Sequence, residues 1–194
     1  MLFRSATRAA GAIVSYLRLT QCRQVQHLQW PRLYQLGEHM YLDANTRRNL
    51  ELTRALRDGK VAGTLLWVLD QTSTAMGART LRTWLEAPLR LRAAINERLD
   101  AVEELTGDLG RRQELLAILA EAADLPRLVA RLSCTGGNPR DLLGLGRTLS
   151  LLPRLQEACF SLAAAKLVQL RTELQPIPAL ADLLSAAIAD DAPA

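Results

Sequence analysis

Leucine returns every three or four residues through most of the second half of the chain, and glycine and proline interrupt the repeat. Apolar residues at this spacing lie on one face of an α-helix, which is normally buried against other helices. Aromatic residues make up only 4% of the 194 residues, so side chains that favour strands are scarce. The pattern therefore predicts an all-α fold, a bundle of several packed helices.

Capping residues and helix breakers place the predicted helices. Thr64, Thr74, Asp124 and Asn138 each precede a helical pattern, and short polar side chains accept hydrogen bonds from the free N–H groups of a first turn. After an N-terminal helix, we predict helices from Asp43 or Asn45 to Leu56, Leu65–Leu69, Ala75–Glu86, Arg92 to Gly107, about Arg111–Ala123, Asp124 to Gly136, Asn138 to Pro153, 156–175, and a last helix after Pro178.

Each predicted helix has an apolar face that we expect to be buried. The short segment Leu65–Leu69 is apolar throughout and is expected to be buried as a whole. The main faces of the longer helices are Met76, Leu81, Trp84 and Leu85; Ile95, Leu99, Val102 and Leu105; Leu125, Leu128, Val129 and Leu132; Leu142, Leu145, Leu149 and Leu152; Leu162, Leu167, Leu170 and Leu174; and Leu180, Leu183, Leu184 and Ile188. Packing in a core explains such faces without a binding partner.

Residues 22–42 lack a helical repeat. Trp30 precedes Pro31, which favours extended backbone at residue 30. We predict an extended connector here, with a short strand near residues 40–42. His27 and His39 have no acidic or cysteine residue at ligand spacing, so we interpret both as surface or packing residues.

The net charge of +4 is unevenly distributed. Residues 1–37 hold five arginines, and all 20 acidic residues lie after them, so the body of the chain is close to neutral. This balance is not typical of a basic nucleic-acid-binding domain. Arg47 and Arg48, with Lys60 nearby, are candidates for a contact with the DNA backbone; the alternative is a solvent-exposed or ion-paired cluster.

The sequence contains no recognisable catalytic, cofactor-binding or metal-binding motif. Gly59-Lys60 is not followed by serine or threonine, and no glycine stands five residues before it, so the phosphate-binding P-loop is absent. The three cysteines lie far apart and form neither a metal-ligand spacing nor a disulfide framework. We expect no catalytic residue, cofactor or metal site in this chain.

The stretch Leu42–Leu89 resembles the start of the core, or lever, domain of the MutS family of DNA mismatch repair proteins. LDANTRRNLEL at 42–52 and TLLWVLDQTSTAMGARTLRTWLEAPL at 64–89 are similar to phrases of that family, as are INERLDAVEEL, DLPRLVARLS and NPRDLLGL further on. GAIVSYLRLTQ, from residue 11, is similar to the last helix of the family's connector domain. Ala75 stands where a proline is usual, and Pro126 where an acidic residue is usual.

The resemblance implies a fragment: residues 1–37 would be the end of the connector domain and a linker, and 38–194 the N-terminal part of the core domain. Its implied function is in DNA mismatch repair, as a lever that couples the DNA-binding and ATPase ends of a longer protein and has no active site of its own. The longer protein would be a homodimer that binds DNA through other domains, uses ATP and magnesium, and meets repair partner proteins.

Two other functions stay open. A stand-alone helical adaptor, which would have lost the mismatch-reading and ATPase domains, should bury or replace the leucines around Leu167–Ile188. A direct DNA-binding module would use Arg47, Arg48 and the N-terminal arginines, and its binding would depend steeply on salt.

Residues 1–21 carry arginines and no acidic residue, with apolar residues at helical spacing, which is typical of a mitochondrial presequence. We prefer an ordinary amphipathic helix, because the family resemblance begins inside this segment. No apolar run of about 18 residues is present, so we expect no membrane span. The resemblance implies a bacterial-type cytoplasmic protein.

Overall fold

The computed structural model of the chain describes residues 2–21, 37–133 and 136–189. The chain divides into two compact units, Met1–Gln35 and Leu36–Ala194. The described part of the first unit is a single helix, α1 (Leu2–Gln21). The connector predicted at residues 22–36, together with His27, lies outside the described residues.

The second unit is helical, and the described residues contain no strand or sheet. Its helices are α2 (Ala44–Asn49), α3 (Leu65–Leu69), α4 (Ala75–Glu86), α5 (Arg92–Gly107), α6 (Leu109–Ala120), α7 (Leu125–Ser133), α8 (Pro139–Ala158), α9 (Ala165–Glu173) and α10 (Pro178–Ala187). The predicted all-α fold is confirmed.

Side-chain caps begin several helices where the sequence placed them. Asp43 accepts a hydrogen bond from the Thr46 N–H at 2.6 Å, and Thr74 accepts one from the Gly77 N–H at 2.9 Å. Thr64 is almost fully buried, and its hydroxyl both donates to the Val61 carbonyl and accepts from an α3 N–H. Because these bonds satisfy groups that a first turn leaves open, the caps fix where the helices start.

The helix predicted to reach Leu56 is wrong, since α2 ends at Asn49. Glu51 has a φ of +46°, in the left-handed region, which turns the chain out of the helix. The carbonyls of Glu51 and Leu52 then accept hydrogen bonds from Leu65 and Leu66, at 3.3 and 2.9 Å. These backbone hydrogen bonds from N–H groups in the first turn of α3 replace the intrahelical hydrogen bonds that a longer α2 would have made.

The strand predicted near residues 40–42 is also absent. In place of a strand, the backbone forms an isolated antiparallel bridge between His39 and Leu89, with the Met40 N–H donating to the Pro88 carbonyl at 2.7 Å. Since α4 ends at Glu86, just before Pro88, the backbone around Leu89 is extended and available for this contact.

Three helix boundaries in the second half differ from the prediction. Helix α6 begins at Leu109 because Asp108 caps it, accepting from the Arg111 N–H at 2.9 Å. Helix α8 continues through Pro153 instead of ending there, and the segment predicted as one helix at 156–175 is divided, with α8 ending at Ala158 and α9 beginning at Ala165. Buried residues on both sides of Pro153 offset its cost of about 3 kcal/mol inside a helix.

Helix α8 lies at the centre of the core. Its Leu149 packs with Ala181 and Leu184 of α10, and its Leu151 and Ala158 pack with α6. A third cluster joins α5 to α9 and to the segment before it through Ala101, Leu162 and Leu167. The helices therefore pack as a bundle in which α8 has neighbours on more than one side.

Several apolar faces are exposed instead of buried. Within α3 only Leu66 is buried, so the prediction that the whole segment is buried is wrong. Exposed members of the predicted faces also include Trp84, Leu99, Val102, Val129, Leu170, Leu180 and Leu183. On α5 the small Ala101 is buried instead, in a cluster with Leu162 and Leu167.

The start of α8 provides a test of how the bundle is held. Asn138 and Asp141 form a capping box, and the buried Asp141 carboxylate lies 3.0 Å from Arg131 of α7. We expect Asp141→Ala to lower the free energy of unfolding by about 2 kcal/mol or more, through loss of the cap and of the ion pair. Urea denaturation followed by circular dichroism measures the change.

The matched control is Glu121→Ala, which removes the exposed pair with Arg154 at 3.4 Å. Exposed pairs contribute about 0–1 kcal/mol, so this variant should be close to the wild type. Equal destabilisation by the two substitutions would contradict a special role for Asp141.

Candidate functional site

The two arginines singled out by the sequence lie on the last turn of α2 and are exposed. The Arg47 Nε donates to the Leu42 carbonyl at 2.9 Å, which holds the chain before the helix against it. At the other end of α2, hydrogen bonds from Thr46 lower the pKa of the Asp43 carboxyl, and the charge of Arg47 contributes a smaller part. Of the two candidates, Arg47 thus makes a hydrogen bond within the protein, whereas the side chain of Arg48 faces solvent.

The turn after α2 depends on an unusual residue. Glu51 is the one non-glycine residue with a positive φ in the part of the chain that the structure describes. A left-handed conformation costs a residue with a side chain roughly 1–2 kcal/mol. Its carboxylate accepts a hydrogen bond from the Leu56 N–H at 2.6 Å, and its N–H donates to the Arg48 carbonyl at 3.1 Å. These bonds hold the loop at residues 51–59 against α2.

Between α2 and this loop lies a cleft of about 380 Å³, which we call the basic cleft. Arg47, Arg48 and Arg54 line it together with Thr53, Ala55, Leu56 and Gly59. No carboxylate and no aromatic ring is among these lining residues. The sequence did not identify Arg54 as a candidate. In the predicted helix up to Leu56, Arg54 would have been part of the same helix as Arg47 and Arg48, whereas in the structure it lies on the loop.

Lys60, the third basic residue noted in the sequence, is not part of the basic cleft. Its ammonium lies 3.6 Å from the Asp58 carboxylate, and both side chains are largely exposed. Gly59 and Gly63 nearby have φ values of +68° and +84°, which glycine adopts without a side-chain clash, so they shape the loop. The structure therefore brings Arg54, and not Lys60, to the predicted pair.

Helix α4 is joined to its neighbours by polar contacts that the sequence did not reveal. Arg79 makes a bidentate pair with Asp124, the residue before α7, with N···O distances of 2.8 and 2.7 Å. The guanidinium of Arg98 on α5 lies 3.9 Å from the ring centroid of Trp84. We call this set of contacts around α4 the α4 joint. Planar guanidinium groups make such contacts in one orientation, so they fix how the helices sit.

Asp124 acts at two elements at once. Its carboxylate binds Arg79 and also accepts, at 3.4 Å, from the Arg127 N–H in the first turn of α7. The hydrogen bonds from Arg79 are the main reason that the pKa of the Asp124 carboxyl is lowered, and the same pair raises the pKa of Arg79. Burial lowers the pKa of Arg98, whose charge is partly removed from water over Trp84.

A second polar contact joins α5 to α9. Both oxygens of the Glu104 carboxylate accept backbone N–H groups, from Ala163 and Ala164, each at 2.7 Å. These residues directly precede α9, whose own N-cap position is an alanine without a capping side chain. Glu104 therefore caps α9 from another helix, and its negative charge is favourable at the positive end of the helix dipole.

Exposed apolar side chains occur on most elements of the described chain. The short helix α3 holds four of them, Leu65, Trp67, Val68 and Leu69. Leu99 and Val102 are exposed on α5, and Leu180 and Leu183 on α10. Large exposed apolar patches often mark an interface with other protein.

Residues 2–21, 37–133 and 136–189 contain no cluster of three or more His, Cys, Asp or Glu side chains suited to a metal ion. None of the described helices is both long enough and apolar enough to cross a membrane. Cys159 is a half-buried thiol whose pKa is raised, chiefly by burial.

Most of the chain matches the model of a known protein family. Residues 45–194 match the model of MutS domain III, which covers α3–α10 and all but the first residue of α2. The match includes the basic cleft and the α4 joint.

Individual relatives agree with this match over almost the whole chain. The chain is 44% identical over 192 residues to a protein of Pelotomaculum thermopropionicum named DNA mismatch repair protein MutS, covering 98% of this chain. Proteins of the same name from Symbiobacterium thermophilum and Myxococcus xanthus are 45% and 44% identical, each over 188 residues and 97% of this chain. The chain spans about a fifth of the length of these relatives, 22% of the first two and 21% of the third.

The Arg79–Asp124 pair predicts a particular pH dependence. Because the pKa of Asp124 is lower in the folded protein, the pair stabilises the fold above the ordinary aspartate pKa of about 4, and this contribution is lost as the pH falls through the folded pKa. Asp124→Asn can still cap α7 but cannot form the ion pair. We expect the variant to be less stable at pH 7, and the difference from wild type to shrink below about pH 4.

Urea midpoints at pH 7, 5, 4 and 3 measure this difference. Asp58→Asn, which removes the exposed pair with Lys60, is the control and should change the midpoint little at pH 7. A difference for Asp124→Asn that stays constant down to pH 3 would contradict the role given to the pair.

Proposed function

We propose that this chain, which belongs to the MutS family of DNA mismatch repair proteins, is a structural core segment that couples the DNA-binding and ATPase ends of a longer protein. The observation that carries the proposal is the α4 joint, in which directional polar contacts link α4 to α5 and to the start of α7. Helices linked in this way transmit a displacement as a unit, which is the property that a lever needs.

Within that protein, residues 1–37 would be the end of the connector domain and a linker, and residues 38–194 the N-terminal part of the core domain. The match of residues 45–194 to MutS domain III supports the second assignment. DNA, ATP and magnesium would be bound mainly by other domains of a homodimer in the bacterial cytoplasm, which would also meet the repair partner proteins. This segment would then contribute no catalytic residue.

The exposed apolar side chains support a place within a larger assembly. Leu180 and Leu183 on α10 are exposed, although a self-contained adaptor should bury or replace them. The exposed residues of α3 lie in the same unit. We therefore prefer the coupling segment to the stand-alone helical adaptor.

A chimaera tests the coupling role. This chain would replace the matching segment of the Pelotomaculum thermopropionicum MutS, and we expect the chimaera to bind a mismatched duplex and to release it when ATP is added. In the same chimaera, Arg79→Gln should slow ATP-triggered release about fivefold or more, because coupling free energies of about 1–3 kcal/mol correspond to factors of that size. DNA binding without ATP, and ATP hydrolysis, should stay close to normal.

Arg92→Gln is the control, because Arg92 is exposed and lies outside the α4 joint. Stopped-flow fluorescence of labelled duplex measures release, and circular dichroism checks folding. A folded Arg79→Gln chimaera that releases DNA at the normal rate would rule out the α4 joint as the coupling element. Robust ATP hydrolysis by the isolated chain would overturn the proposal that the segment has no active site.

A further inference from the structure

The basic cleft between α2 and the loop at residues 51–59 has features that the coupling role does not require. We propose that it binds backbone phosphates of double-stranded DNA, with Arg47, Arg48 and Arg54 as the phosphate-binding residues. This site would place a direct DNA contact inside the core segment, and it holds whether or not the coupling role is correct.

The arginines of the cleft have unused binding capacity. Among the described residues, Arg48 and Arg54 make no side-chain hydrogen bond or ion pair, and Arg47 uses only its Nε, on the Leu42 carbonyl. A guanidinium with free N–H groups offers a planar fork of donors that matches phosphate oxygens. Two unpaired guanidinium groups and a third that is only partly engaged line one cleft of about 380 Å³.

The acidic groups of the same segment are engaged elsewhere. Residues 42–60 hold five basic and three acidic residues. Asp43 is bound to the Thr46 N–H, Glu51 to the Leu56 N–H, and Asp58 is paired with Lys60. None of the three carboxylates is among the described lining residues, and the Glu86 carboxylate, which accepts from the hydroxyl of the lining residue Thr53 at 3.4 Å, does not line the cleft either.

The left-handed turn at Glu51 lies between the arginines of α2 and Arg54. This conformation is unfavourable for glutamate, yet it is held by two hydrogen bonds. Backbone strain of this kind is often found where a structure positions a functional group. Here the strained residue joins the two elements whose arginines line the cleft.

The lining residues favour a duplex over a single strand. Single strands are usually held by aromatic rings on which bases stack, and none of the described residues that line the cleft is aromatic. Phosphate contacts carry no sequence information, so we expect binding not to depend on sequence. The same chemistry would bind the phosphates of a free nucleotide, and the experiment therefore includes ATP.

The test measures binding of this chain to a fluorescently labelled, fully paired duplex of about 30 bp by anisotropy, from about 50 to 200 mM salt. If the three arginines each neutralise one phosphate, they contribute about −2.7 to the slope of log K against log salt. Arg48→Gln/Arg54→Gln should reduce the slope by about 1.8 and weaken binding at the lowest salt about tenfold. Both residues lack structural partners, so the variant should fold, and circular dichroism verifies this.

Two control variants with the same loss of charge distinguish binding at the basic cleft from general electrostatic attraction between the chain and DNA. Arg92→Gln/Arg127→Gln removes exposed arginines outside the cleft, and Arg4→Gln/Arg8→Gln removes two from the basic N-terminal segment. We expect both to keep binding within about twofold of the wild type, since only arginines that contact phosphates release counterions from the DNA. Equal loss in either control, or no binding of duplex at the lowest salt, would overturn the proposal.

The remaining arms compare ligands. We expect the duplex to bind more tightly than a single strand of the same length, and labelled ATP to bind at least about tenfold more weakly than the duplex, because ATP offers fewer phosphates. Tighter binding of ATP, lost in Arg48→Gln/Arg54→Gln, would overturn the assignment to DNA in favour of a free nucleotide. Preference for the single strand would overturn the assignment to duplex DNA.

Discussion

Burial of α8 on more than one side is the constraint on which the rest of the second unit depends. Leu149 packs toward α10, while Leu151 and Ala158 pack toward α6, so one helix contributes to two separate clusters. Close-packed clusters resist small displacements because any gap loses contacts on both sides. The position of α8 therefore determines where its neighbours lie. The first turn of α8 is itself held by the buried Asp141 and by the ion pair of Asp141 with Arg131 of α7.

Directional polar contacts connect the helices that this core does not hold. Arg79 and Asp124 join α4 to the start of α7, and Glu104 joins α5 to the start of α9. Contacts of this kind add modestly to the free energy of unfolding, and their directional geometry fixes the relative orientation of the helices that they join. A segment that couples distant parts of a protein needs such orientation, because a displacement at one helix is passed on only if its neighbour moves with it.

The basic cleft and the α4 joint differ in how much of them the sequence could reveal. Arg47 and Arg48 are adjacent, so their cluster is visible in the sequence, and their contact with DNA stays a prediction. Arg54 joins them only because Glu51 takes a left-handed conformation, which the sequence signals poorly, since glycine is the residue expected there. Arg79 and Asp124 are 45 residues apart, and spacing in a single sequence gives no sign that they meet.

The sequence by itself determined the all-α class, the family, most helix starts and the caps at Thr64, Thr74 and Asn138, and it limited the cap of α2 to Asp43 or Asn45. These features depend on neighbouring residues, since a cap and its N–H group are only three residues apart. The tertiary structure decided where α2 ends, how far α8 runs past Pro153, and which apolar faces are buried. Each of these depends on a partner distant in the chain: Leu65 and Leu66 for the end of α2, α6 for the second half of α8, and Leu167 for the burial of Ala101 instead of Leu99. Helical spacing shows that a face is apolar, but only the packing of other helices shows whether it is covered.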